Sequence, residues 1–148
     1  MSDAAERLHA VLRRIPYARF LGVRAVLAGD EMTAVLPFAA HLIGDPTLPA
    51  LHGGVLGAFM EMTALAQLSI MQPGDSRQPR PIDVTVQYLR SGRPRDTFAR
   101  AEIKRLGRRI ANLHVEAWQE SRQAPIAALH GHFLLSPGPA APDAPPPT

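Results

Sequence analysis

From Val55 to Met71 the chain carries one charge, Glu61, in 17 residues. A helix of that composition has no polar face to turn toward water, so the protein must enclose it on most sides. The segment just before it reads Leu51-His52-Gly53-Gly54. Two glycines permit a sharp turn, and a helix start without side chains leaves free backbone N–H groups open to a polarised oxygen. Glu61 is flanked by Met60 and Met62, with Gly57, Ala58, Ala64 and Leu65 one turn away. Burying an unpaired carboxylate is costly, so this one needs a reason. Apolar surroundings also raise a carboxylate's pKa, which suits a base working near neutral pH. An acid and a free N–H site on one element fit acyl chemistry.

Around this helix the patterning predicts an α+β architecture, a curved antiparallel sheet wrapped around one long helix. Leu8, Val11 and Leu12 make 4–14 a short amphipathic helix that ends before Pro16. Residues 17–23 read as a turn into a strand, and 24–36 as a hairpin turning at Gly29-Asp30. Prolines and glycines make 37–50 and 72–81 loops. Strand-like alternation follows over 82–89, 97–106, 112–119 and 125–135. Residues 1–135 are read as one domain. The tail 136–148 holds six prolines in 13 residues and is expected to be disordered or extended. One sheet covers about half of such a helix, so a partner subunit is the natural cover for the rest.

Composition narrows the chemistry. The absence of cysteine excludes disulfides, thiolate nucleophiles and Cys-based metal sites. The N-terminus starts acidic, without the basic-then-apolar pattern of a signal peptide, so a cytoplasmic location is expected. No membrane association is expected, since the apolar run is short for a span and carries Glu61 and Gln67. His130 and His132 share a strand face, but the histidines show no metal-ligand spacing and no metal site is expected. Eight of the 16 basic residues fall between Arg90 and Arg109. With few aromatics among them, nucleic acid is a poor fit, leaving a solvated strand edge or a phosphate-binding role.

The run His52-Gly53-Gly54-x6-Glu61 resembles the HGG-x6-(Asp/Glu) motif of hotdog-fold acyl-CoA thioesterases of the phenylacetate-degradation and 4-hydroxybenzoyl-CoA type. Phe20-Leu21-Gly22-Val23, Val84–Arg90 and Arg105-Leu106-Gly107-Arg108-Arg109 resemble further family segments, so the likeness runs from Ala18 to Leu135. The resemblance implies hydrolysis of an acyl-CoA thioester. Gly53 N–H would polarise the carbonyl, and Glu61 would act as nucleophile or general base. Gly54 completes the turn, and His52 is either catalytic or a turn histidine bonded to backbone. No cofactor is implied beyond the CoA of the substrate. Arg105, Arg108 and Arg109 are candidates for the CoA phosphates, and Phe59, Leu65, Tyr88 and the 72–81 loop for the acyl pocket.

Spacing bears on assembly. Glu61 lies eight residues past Gly53, about 12 Å along a helix. One carbonyl cannot touch both in the same chain, so a homodimer or dimer of dimers with shared sites is expected. Many relatives carry Asn or Gln in the loop before HGG, and some carry Ser or Thr one turn after the acid. Here that loop offers only His41 and Asp45, and the later position is Leu65, with Thr63 turned away. A non-catalytic acyl-CoA-binding protein and a hydratase or dehydratase on the same fold are the alternatives.

Overall fold

The computed structural model describes residues 3–29, 31–71 and 78–136. Asp30, the 72–77 loop and the Pro-rich tail beyond 136 lie outside them. Helix α1, Asp3–Arg14, buries Leu8 and Leu12 and carries acids in its first turn and arginines in its last, matching the helix dipole. Residues 17–23, expected to turn into a strand, instead form helix α2, Pro16–Leu21. Proline at a first helical position supplies the required φ and loses no hydrogen bond. Ala18 and Leu21 then bury three residues apart, and Gly22 closes the helix at φ 77°.

The hairpin is β1, Arg24–Ala28, with β2, Glu31–Leu36. The expected loop over 37–50 contains more structure than its prolines announced. A 3-10 turn at Ala40–Leu42 leads into a small antiparallel pair, β3, Ile43–Asp45, and β4, Ala50–Leu51. Helix α3, Gly53–Met71, follows at once. Strand β5, Gln78–Tyr88, begins before the expected Ile82 and takes in Pro79 and Pro81. Prolines are tolerated there because β5 is an edge strand. Strands β6, Thr97–Leu106, β7, Ile110–Trp118, and β8, Ala127–Ser136, complete the chain.

The six long strands form one antiparallel sheet ordered β1-β2-β6-β7-β8-β5. Leu113, Val115, Leu129 and Phe133 point from its inner face into the core with Phe59, Met60 and Leu68 of α3. At one end Ala34, Ala99, Ala117 and Ala127 stand side by side on four strands, all buried, and the row ends at Tyr88 on β5. Short side chains there let the first turns of α3 lie close to the sheet. The other side of α3 is covered in part by α1 and α2. The chain itself therefore supplies some of the cover expected from a partner. By length and composition α3 could cross a bilayer, but over half of that window is buried in the protein's own core.

Phe59 was expected to line an acyl pocket. It is 0% exposed and points about 160° around α3 from Glu61 at 100° per residue, so it belongs to the core between helix and sheet. Phe59→Ala is expected to lower stability by about 3–5 kcal/mol, the usual cost of emptying a buried aromatic site. Chemical denaturation measures this directly. A loss below about 1 kcal/mol would place the ring at a cavity wall instead.

Candidate active site

The glycine turn is strapped on both sides. Leu51 N–H donates to Gly92 C=O and His52 N–H to Leu42 C=O, each at 2.9 Å. Gly44 of β3 lies so close to His52 that a Cβ there would stand 2.8 Å from His52 Cα. His52 caps the helix: its Nδ1 accepts the Gly54 N–H at 2.9 Å. Nδ1 must be unprotonated to accept, so in the neutral ring Nε2 carries the proton. The His52 carbonyl accepts from Val55 and Leu56. Tyr88 donates its hydroxyl to the Gly53 carbonyl at 2.8 Å. Among the described residues the Gly53 N–H has no partner. It is a free donor at the positive end of a 19-residue helix.

Glu61 lies farther along α3, half-buried, with no hydrogen bond or ion pair among the described residues. Its pKa is raised by burial. Gly54, Gly57, Ala58 and Leu65 project within about 60° of it. None of these four has a polar side chain, so Glu61 stands in a trough of small and apolar groups. On β5 beside this trough, Val86 and Tyr88 lie next to Gly57. Thr63 turns away and donates to Phe59 C=O at 2.8 Å. Both polar candidates in the preceding loop are engaged elsewhere. His41 Nε2 is 3.2 Å from Phe20 C=O. Asp45 accepts from the side chain and backbone of Thr47, which hold its pKa down.

Gly53 opens on a shallow groove of 440 Å³ shared with Leu51, Leu56, Tyr88, Leu89 and Arg90. Arg90 stands out here more than sequence reasoning had suggested; nothing in the basic run distinguished it from its neighbours. Its guanidinium donates to Pro125 C=O at 2.7 Å. The structure does not bring Arg105, Arg108 and Arg109 to this groove in the same chain. They sit at the β6–β7 turn, whereas Gly53 lies by Tyr88, whose row crosses β6 at Ala99. Seven residues of strand separate that row from Leu106, about 23 Å.

On the sheet's outer face His114 and His130 lie edge to face with ring centres 3.9 Å apart. Burial first, then His130, lowers the His114 pKa. His132 pairs with Asp83 at 2.8 Å. No three His, Asp or Glu side chains among the described residues converge as a metal site would require.

A family model described as the acyl-CoA thioesterase N-terminal domain matches residues 45–136, which include the turn, α3 and strands β5 to β8. The chain belongs to this acyl-CoA thioesterase family. Among solved structures, a protein from Chromobacterium violaceum is 33% identical and aligns over 88% of this chain and 97% of its own, with TM-score 0.68. A Shewanella oneidensis protein related to the thioesterase superfamily is 24% identical over 90% and 97%, with TM-score 0.72. The E. coli PaaI protein from the phenylacetic acid degradation operon is 17% identical over 91% and 94%, with TM-score 0.77. No curated protein sequence is a significant match. The antiparallel sheet folded about one central helix is the hotdog fold of this thioesterase family.

The raised pKa of Glu61 has a consequence for stability. The folded state holds this proton more tightly than the unfolded chain does. The site therefore favours folding below the ordinary value of 4.5, and that advantage is lost as pH rises through the higher folded pKa. Glu61→Gln, which mimics the protonated form, should melt with the parent at acid pH and above it near neutral pH. Thermal denaturation across pH checks this. A variant that melts lower at neutral pH would mean that the carboxylate makes a stabilising contact.

Proposed function

We propose that the protein hydrolyses an acyl-CoA thioester to the free acid and CoA. The observation that carries this is the pairing of a Gly53 N–H without a partner among the described residues, at a helix start, with a half-buried Glu61 farther along the same helix, its pKa raised by burial. The thioester oxygen accepts from Gly53 N–H, whose bond strengthens as negative charge grows on that oxygen. Glu61 then either takes a proton from a water that attacks the carbonyl carbon, or attacks that carbon itself to give an acyl-enzyme anhydride that a water afterwards hydrolyses to the free acid and Glu61. In both routes the carbon–sulfur bond breaks and CoA leaves as the thiolate. No cofactor is needed beyond the CoA of the substrate.

The site is shared between two chains. Gly53 and Glu61 are about 12 Å apart along α3, too far for one carbonyl, so each site takes Gly53 from one protomer and Glu61 from its partner. Strand β5 supports this assembly. Among the described residues it pairs only with β8, and Ile82, Val84 and Tyr88 are exposed along it. A long apolar edge is a template for another strand. Antiparallel pairing of two β5 strands sets the Tyr88 end of one protomer beside the Gln78 end of the other. The β6–β7 turn lies at that second end, so the partner's Arg105, the partner's Arg108 and the partner's Arg109 become the candidates for the CoA phosphates.

Non-catalytic acyl-CoA binding is the second reading. It is favoured by Leu65 and by the engagement of His41, Asp45 and Thr63 elsewhere, which leaves none of these three free to hold a water beside Glu61.

Release of CoA from a panel of short, long and aromatic acyl-CoAs tests hydrolysis, and binding without release across the panel supports the second reading. Glu61→Gln is expected to keep the fold and lose about 10²-fold or more in kcat; near-parent turnover would remove Glu61 from the chemistry. Light scattering should show a dimer or tetramer. Mixing inactive Gly53→Pro and Glu61→Gln subunits should restore activity where chains exchange. Arg105→Ala, Arg108→Ala and Arg109→Ala should raise KM with little change in kcat, because a remote phosphate contact is equal in ground and transition states. Unchanged KM in all three returns the cluster to a solubility role.

A further inference from the structure

We propose that Tyr88 is a positioning residue that aims the Gly53 N–H at the substrate carbonyl; this rests on the hydrolytic reading above. Two adjacent glycines are the most permissive backbone available, whereas a donor that stabilises a developing oxyanion must be fixed before the reaction begins. The turn resolves this conflict one peptide at a time. The Leu51–His52 peptide is held through His52 N–H on Leu42 C=O, and the His52–Gly53 carbonyl is held by Val55 and Leu56. The Gly53–Gly54 peptide is held at both ends, its N–H on His52 Nδ1 at 2.9 Å and its carbonyl under the Tyr88 hydroxyl at 2.8 Å. Because a peptide group is planar, two bonds at opposite ends set its orientation. The Gly53 N–H, in the neighbouring His52–Gly53 peptide, has no partner among the described residues.

Tyr88 is the part of this arrangement that comes from outside the turn. Its side chain projects at the end of the buried alanine row, opposite Ala127. Its ring and hydroxyl stand 3.2 Å from where a Gly53 Cβ would be, so the ring rests against the glycine backbone itself. The residue is 57% exposed. The hydroxyl nevertheless turns to Gly53 rather than to water. The same strand offers the free edge of the sheet, so pairing at β5 and the aim of the Gly53 N–H meet in one element.

Tyr88→Phe removes only the hydroxyl and leaves the ring in place. The expected result is a fall of about 10-fold in kcat with KM little changed, a fraction of the 10²–10³ seen when an oxyanion donor is lost outright. A direct readout is the carbonyl stretch of a bound ketone analogue of acyl-CoA, in which a methylene replaces the thioester sulfur. On the parent protein the stretch should move to lower frequency, and on Tyr88→Phe it should move less. Glu61→Gln should leave that shift intact while abolishing turnover. In the substrate-free protein the Gly53 and Gly54 amide resonances should shift or broaden in Tyr88→Phe but not in Glu61→Gln. Unchanged kcat, carbonyl shift and amide resonances in Tyr88→Phe would overturn the positioning role and leave the hydrolytic reading standing. A raised KM with parent kcat would make Tyr88 a substrate contact and also overturn it. A parent protein that leaves the carbonyl unshifted would remove the role assigned to Gly53, and this proposal with it.

Discussion

Enclosing a helix that is apolar on every side is the requirement on which the rest of this structure depends. Helix α3 has no face for water, so sheet and helices close around it. The six-stranded sheet covers one side, while α1 and α2 cover part of the other. Where the helix starts, four alanines on neighbouring strands admit its first turns close to the sheet. Where the enclosure is incomplete, along the stripe from Gly54 to Leu65, the helix carries its one charge. Glu61 keeps enough solvent contact to exist there and enough burial to raise its pKa.

The turn that opens α3 obeys a second rule. Buried or crowded backbone donors and acceptors are nearly always paired. At this turn His52 N–H and C=O, Gly53 C=O and Gly54 N–H are all paired, while the Gly53 N–H has no partner among the described residues. The pairing draws on distant parts of the chain: Leu42 before the small β3–β4 pair, Gly92 after β5, and Tyr88 at the end of β5. A glycine pair is thereby given a single geometry without a side chain of its own. Gly44 belongs to the same scheme, since only glycine lets β3 approach His52 this closely.

Much of this was legible beforehand. The helix at 53–71, the hairpin at 24–36 and the strands β6 and β7 follow from composition and alternation, which report local burial directly. Helix α2 and the β3–β4 pair were not legible. Pro16 stops one helix and starts another with the same ring, and the 37–50 stretch is ordered by the turn it supports rather than by its own pattern. The position of β5 beside β8, away from its sequence neighbour β6, also lies beyond any local signal.

The candidate site divides the same way. The sequence alone determined that one acid sits on an apolar helix behind a glycine turn, because charge, size and spacing are local properties of the chain. It also determined the distance between them, because helix rise is constant. Only the tertiary structure decided which groups keep a free valence. Phe59 faces the core, His52 is a helix cap, and Arg105, Arg108 and Arg109 stand at the far end of the sheet from Gly53. Tyr88 was already in view as a pocket residue, but its bond to Gly53 spans 35 residues of sequence. Such a contact is set by strand order and register, and those are settled by the folding of the whole sheet around α3 rather than by any segment within it.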